Sequence, residues 1–396
     1  MLRWEAGLDA VRDTRRRAQI PTRVILRALA AMFLSRLGSL NAMEQSRPSR
    51  FWQRWLEAPL PSADTVGRVG NLVRAEDLRA LLHDGYAQLK RRKALTPPAH
   101  GLMAAVVDGH ESHATFRRCC SACLQRTIHT AEGDRIQYYH RHVALQLVGR
   151  NFAMILDAEP QKAGEDEVAT ALRLLERVLS AYPRAFDVIL GDALYADPRM
   201  FNYALAHGKD MLAVLKANQP GLLEDARGLW GQTLPEVVAY DGYARTCWDF
   251  EGFTTWPQVL RPVRIVRSLE KRSVRRQLDH QIEELSSDWA WVTTLSKARA
   301  STRAVTQLGH GRWTIENQGF NELVNHWHAD HVYKHQPNAM LTFWLLAAIC
   351  LTLFLAFYQR NLKPAARQAA SMLQIARRIA AELLGAIPRG PARAPL

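Results

Sequence analysis

The sequence predicts an α/β protein: a mixed sheet flanked by helices, preceded by an all-helical N-terminal region and interrupted by a β-rich insertion. Three observations predict it. The first hundred residues carry helical periodicity, and from residue 101 short apolar runs alternate with amphipathic stretches. Between 217 and 288 that rhythm breaks into a basic stretch that partly alternates polar and apolar residues. A chain of 396 residues exceeds one ordinary domain. The divisions expected are 1–98, 99–216, 217–288, 289–360 and 361–396.

In the first segment, Val24 to Leu34 and Ala75 to Leu82 are strong helical runs. Pro61, Ser62 and Asp64 offer turn and N-cap chemistry ahead of a further helix at Val66. Lys90 to Lys93 leads into Pro97-Pro98, a natural boundary. Leu102 to Val107 is a short strand, and 138–148 with 152–156 form two more, joined by the hairpin signal Gly149-Arg150-Asn151. The stretch 165–182 is an amphipathic helix with Leu172, Leu175 and Leu179 on one face and acids in its first turn. A strand running into Asp192, a helix over 199–207 and a strand over 211–216 follow. In the insertion, Val259 to Arg267 has the pattern of a half-buried strand, and Arg261, Arg264, Arg267, Lys271, Arg272, Arg275 and Arg276 face a single Glu270. Trp289 to Leu295 returns to the main sheet, a helix carries Glu316, and the Ala/Arg-rich tail from Leu362 is helical before it ends in Pro/Gly/Ala sequence.

The net charge of +14 and a pI near 9.9 point to a polyanionic partner, nucleic acid before a membrane surface. Five cysteines, an odd number, argue against a secreted disulfide scaffold and for a reducing compartment. The N-terminus carries Arg3, Glu5 and Arg15 to Arg17 with no apolar run between, so no signal peptide is expected. Residues 339–358 run without a charge for the length of a bilayer span. A fully buried core helix has the same composition and is the reading adopted, with a membrane anchor as its rival.

The chemistry rests on three carboxylates. Asp108 ends one apolar run, Asp192 ends another, and Glu316 lies on a helix four residues after Arg312. Two acids at neighbouring strand ends and one on an overlying helix can converge on two divalent cations, the arrangement that phosphodiester chemistry needs. Glu322 is the rival third acid, but it lies about 600° of helical rotation beyond Glu316 and so faces elsewhere.

Other groups are weaker. Cys119-Cys120-Ser121-Ala122-Cys123 contains a C-x-x-C with His110, His113, His129, His140 and His142 nearby; Cys119, Cys120, Cys123 and His129 are the candidate ligands of a structural Zn2+. His326, His328, His331 and His335 follow the third acid, and the last three share a face if helical. The runs 15–17, 90–93 and 261–276 are candidate phosphate-neutralising surfaces. Trp248, Trp256, Trp289 and Trp291 are read as core, with stacking on a flipped base as the alternative for one of them.

Val107-Asp108-Gly109, Gly191-Asp192-Ala193-Leu194-Tyr195 and the block from Arg312 to Leu323 resemble the DDE transposases of bacterial insertion sequences, in the broad insertion-sequence family 4 group. Pro61 to Arg68 resembles a further stretch of these proteins, and the likeness spans most of residues 20–360. It implies an RNase H-like catalytic core split by the insertion, with 1–98 as a DNA-binding domain. It also implies Asp108, Asp192 and Glu316 as catalytic ligands of two Mg2+ ions, with Mn2+ able to substitute. Arg312 matches the arginine of the family's Tyr-Arg-Glu-Lys signature and would contact DNA phosphate; from the charge run alone, Arg264, Arg267, Lys271 and Arg272 are further candidate DNA contacts. The signature tyrosine falls at Gly309 and the lysine at Leu323, for which Lys334 or His331 would substitute. A homodimer on double-stranded DNA in the bacterial cytoplasm, close to the nucleoid and without a membrane, is the expected setting. Two alternatives share the pattern: an inactive, domesticated DNA-binding protein and a stand-alone metal-dependent nuclease.

Overall fold

The structure is a computed structural model that describes residues 4–275 and 281–385; Arg3, Arg276 and the Pro/Gly/Ala end of the tail lie outside the described residues. The N-terminal region is helical: α1 (Trp4–Asp9), α2 (Thr22–Leu34), α3 (Leu40–Gln45), α4 (Arg50–Leu56), α5 (Ala63–Gly70) and α6 (Ala75–Arg91). Ser39, Ser49 and Ser62 cap α3, α4 and α5 by accepting backbone N–H bonds, which fixes where these short helices begin. The longest of the six, α6, carries Glu76 and Asp77 in its first turn and Lys90 and Arg91 in its last, both complementary to the helix dipole.

The strands and helices that follow are β1 (Ala104–Thr115), β2 (Leu124–Thr130), β3 (Gly133–Val148), β4 (Ala153–Pro160), α7 (Glu167–Ala181), β5 (Val188–Gly191), α8 (Pro198–Ala206) and β6 (Asp210–Val214). Then come α9 (Pro220–Gln232), β7 (Glu236–Tyr240), β8 (Tyr243–Phe253), β9 (Val263–Arg275), β10 (Ile282–Thr293) and α10 (Thr302–Gly311). A π-helical turn (Ile315–Phe320) runs into α11 (Asn321–Trp327), followed by α12 (Pro337–Arg360), α13 (Pro364–Ala369) and α14 (Met372–Leu384). Among the described residues the strands form one mixed sheet in the order β2-β3-β1-β5-β6-β10-β9-β8-β7, with β4 also on β3. The architecture is α/β and consistent with an RNase H-like core.

The centre of the sheet is parallel, β1-β5-β6, and its strands are buried on both faces, which is why they read as unbroken apolar runs. The insertion differs from its expected outline in two ways. It begins with a helix, α9, and its last strand, β10, runs through residue 288 to pair with both β9 and β6. The insertion sheet is thus a continuation of the core sheet.

The apolar run near the C-terminus becomes α12, the one helix among the described residues whose length and hydropathy suit a bilayer. It packs instead against α2, α5, α6, α11 and β4, and most of its side chains are buried. Each large apolar side chain so buried contributes roughly 1.5–3 kcal/mol. One continuous core therefore joins the N-terminal helices to the sheet. A charged cluster reinforces the joint: Arg79 on α6 donates to Asp157 on β4 (2.9 Å), and Arg177 on α7 donates to the other oxygen of Asp157 (2.6 Å).

Candidate active site

Backbone register brings the first two acids together. β1 and β5 pair in parallel from Ala104↔Val188 to Val106↔Leu190, and extending that register two residues sets Asp108 level with Asp192. Because strand side chains alternate, Asp108 shares a face with Val106, and Asp192 shares that face with Leu190. β5 stops at Gly191, where the Asp192 carboxylate accepts the Leu194 N–H (2.8 Å) and starts a tight 3-10 turn. Asp108 does not end its strand. β1 continues to Thr115 because β3 keeps pairing with it, so Asp108 marks the point where the strand leaves the core.

Glycine at 109 serves the opposite face of the sheet. A Cβ there would lie 2.5 Å from the Glu167 carboxyl carbon, and that carboxylate is held by the Tyr195 hydroxyl (2.8 Å) and by Arg141 (2.9 Å).

The third acid arrives on the π-helical turn rather than on a regular helix. The buried Gln146 of β3 donates its amide to the Thr314 carbonyl (3.1 Å), and its Oε1 fills the space beside Gly319. A side chain that takes a carbonyl out of the i→i−4 ladder widens the helix locally, and such π turns recur at functional sites. His110, on the same face of β1 as Asp108, stacks on Phe320 at the far end of the turn (4.8 Å). Arg312 donates to Glu316 Oε1 (2.6 Å), and the same nitrogen lies 3.9 Å from Asp108. The guanidinium bridges two acids here, and little of it is left to solvent.

The electrostatic consequence is concentrated on Asp108, whose carboxyl is pushed up to about 7. Burial is the main cause, the nearby Asp192 adds to it, Arg312 offsets part, and Glu316 raises it again. Three carboxylates held in mutual repulsion by the backbone, with one guanidinium between them, fit divalent cations in donor chemistry and in charge.

The other expected site residues divide. Glu322 turns to the N-terminal helices, paired with Arg36 (3.4 Å) and accepting from the Trp327 indole N–H (3.0 Å). Lys334 is exposed with its stem over Gly67 of α5, and His331 is exposed. No helical face unites His328, His331 and His335: α11 ends at Trp327, and His328 adopts a left-handed conformation. Arg264 does not lie at the surface where a DNA contact would need it: it is buried in a bidentate pair with Asp249 and donates to the Leu295 and Ala300 carbonyls. Arg267 is likewise committed, to Asp288 (2.7 Å) and to the faces of Trp230 and Trp248. Lys271 and Arg272, farther out on β9, are exposed, as are Arg16, Arg17 and Lys90 to Lys93, whereas Arg15 is held by Asp13. His129 is not part of a thiol cluster; it is an exposed residue paired with Asp134 (2.6 Å).

Trp256 and Trp291 are core, as expected. Trp291 also accounts for glycine at the position where the signature carries tyrosine, since a Cβ on Gly309 would lie 2.3 Å from its ring. Leu323 is buried, leaving no room for a cation there. Two residues went unremarked in the sequence. Gln146 gave no signal inside an apolar strand. Trp313, next to Arg312 and 41% exposed, packs edge-on against Trp289 (5.3 Å) and offers the exposed aromatic surface that the insertion tryptophans were considered for.

Residues 104–353 match the family model described as "Transposase DDE domain". No curated protein matches the chain.

Proposed function

Because the chain belongs to the DDE transposase family, we propose that Asp108, Asp192 and Glu316 are the carboxylates through which it cuts and joins DNA. The protein is a DNA transposase, and the family acts on DNA with divalent metal. The observation that carries the assignment is the convergence of the three acids: equal register for the two aspartates, and one arginine bridging Glu316 and Asp108.

In this reading the three carboxylates would hold two Mg2+ ions, with Mn2+ able to replace them. The chemistry such a pair supplies is activation of an attacking oxygen and stabilisation of the leaving one in an in-line displacement. Water attacks first at an element end and frees a 3′-OH, which then attacks target DNA. One set of acids serves both steps because both are displacements at phosphorus.

The chain's own residues hold this geometry. Gln146 and the Phe320–His110 stack keep the π turn over the strand ends, and Arg312 neutralises the acids until substrate phosphate and cations compete for them. Lys271 and Arg272, with the exposed cations at 16–17 and 90–93, form the electrostatic approach to the duplex. A dimer bridging two element ends in the cytoplasm, at the nucleoid, completes the reading.

The test is metal-dependent cleavage of a supercoiled plasmid carrying the element's ends, wild type beside Asp192→Ala. Nicking at the ends that vanishes in the variant, with DNA binding retained, supports the triad. Equal nicking by both proteins overturns it.

A further inference from the structure

A second donor cluster lies on the same sheet, at the far end of the β1–β3 ladder. Four side chains from three separated stretches converge: Cys120 and Cys123 from the loop before β2, His140 on β3, and His335 from the segment between α11 and α12. Their donor atoms form a compact four-cornered figure. Cys120 Sγ and Cys123 Sγ are 3.7 Å apart, each is 3.4 Å from His140 Nε2, Cys123 Sγ is 3.8 Å from His335 Nε2, and the two imidazole nitrogens are 3.1 Å apart.

Tetrahedral zinc with Zn–S of about 2.3 Å and Zn–N of about 2.0–2.1 Å requires edges of ~3.8 Å for S···S, ~3.6 Å for S···N and ~3.3 Å for N···N. The observed separations fall within a few tenths of an ångström of those edges. Ordinary hydrogen bonding explains them less well. The four atoms make five close contacts, more than two thiol protons and one ring N–H between the imidazoles can bridge, and the sulfurs are too far apart for a disulfide. The Cys120 N–H is directed at Cys123 Sγ (3.3 Å), a backbone bond that stabilises a thiolate.

We propose that Cys120, Cys123, His140 and His335 bind a structural Zn2+ ion that ties the β1–β3 arm to the segment downstream of Glu316. The ligand set is closed, two thiolates and two imidazoles, with no position left for substrate. Softness and tetrahedral arrangement favour zinc over magnesium or calcium. Its consequence is mechanical: His140 and His335 are 195 residues apart, so the ion fixes where the chain runs after it leaves the π turn. Cys119 and His113 form a second, three-donor group around the same His335, but the four-donor set is the one that closes a tetrahedron; the Cys119 thiol is turned to the Arg117 carbonyl, and His113 packs edge-on against His335. The proposal does not depend on the catalytic assignment of the acids.

The test is the metal content of the full-length protein purified without chelators, together with its absorption after exchange of zinc for Co2+. One zinc per chain is expected, with the visible bands and thiolate charge transfer of tetrahedral cobalt. Cys123→Ser and His335→Ala should lower zinc content at least fivefold, while Cys119→Ser and His129→Ala leave it unchanged. Should the ligand variants fail to fold, X-ray absorption at the zinc edge of the wild type decides, with two sulfur and two nitrogen neighbours expected. Folded wild type that holds no zinc and shows no cobalt spectrum overturns the site. So do another metal in its place, zinc retained after loss of His335, or a shell of different composition.

Discussion

The two donor clusters on this sheet are built in opposite ways. The acids are gathered by backbone register: adjacent parallel strands set Asp108 and Asp192 level, and a π turn adds Glu316. Burial, with repulsion from Asp192 adding to it, makes the ionised form of Asp108 costly in the folded protein. The thiol–imidazole cluster is gathered by tertiary packing from three separated stretches, and its donors carry no obligatory like charge. On the two proposals made above, the difference would separate a site that exchanges partners during chemistry from one that holds the fold in place.

The largest effect expected from breaking the acid cluster is on chemistry. Asp192→Ala should lower end cleavage by about a thousandfold or more, with DNA affinity in a filter or gel assay unchanged. Gln146→Ala tests whether the π turn is positioned rather than merely present. Cleavage should fall about 10–100-fold at an unchanged metal optimum, with a stability loss of about 1–2 kcal/mol from the orphaned Thr314 carbonyl. A drop in stability with full activity per folded molecule would remove Gln146 from the positioning role.

Restoring the family tyrosine, Gly309→Tyr, should not restore a family property. The Trp291 ring occupies that space, and overpacking should cost about 1–3 kcal/mol in denaturant unfolding. Burial of Asp108, with the neighbouring Asp192 adding to it, gives a prediction of opposite sign. Asp108 has an ordinary unfolded value near 3.8 and a folded value of about 7, so the unfolded state ionises first. Metal-free stability should therefore be lost as pH rises from about 4 to 7 and stay low above it. Asp108→Asn should stabilise the metal-free protein by about 1–3 kcal/mol at pH 8, and the gain should vanish at pH 4. An unchanged difference across that range would rule out Asp108 as the strained group.

The smallest effect concerns the insertion. Replacing both Lys271 and Arg272 by alanine should reduce the salt slope of DNA binding by about 2 without altering the fold.

Legibility followed the range of the interaction. Ser62 as a cap, the hairpin at 149–151 and the amphipathic α7 depend on neighbours within a few residues, and the structure contains all three. The arginines at 264 and 267 looked equivalent to those at 271 and 272, because a cation's partner across a sheet is invisible in its own strand. His129 lies near the cysteines in sequence, but the middle of β3 and a segment some 200 residues on bring the imidazoles to them.

By itself, the sequence determined the class of the fold, the family, and which acids could meet. Strand periodicity, caps and apolar runs are local properties, and Asp108 and Asp192 ride on them. Tertiary structure decided the rest: that β1 runs on past Asp108, that Gln146 opens a π turn beneath Glu316, that Arg312 bridges acids, and that α12 lies in a protein core. Each of those depends on a partner distant in sequence, and only packing selects it.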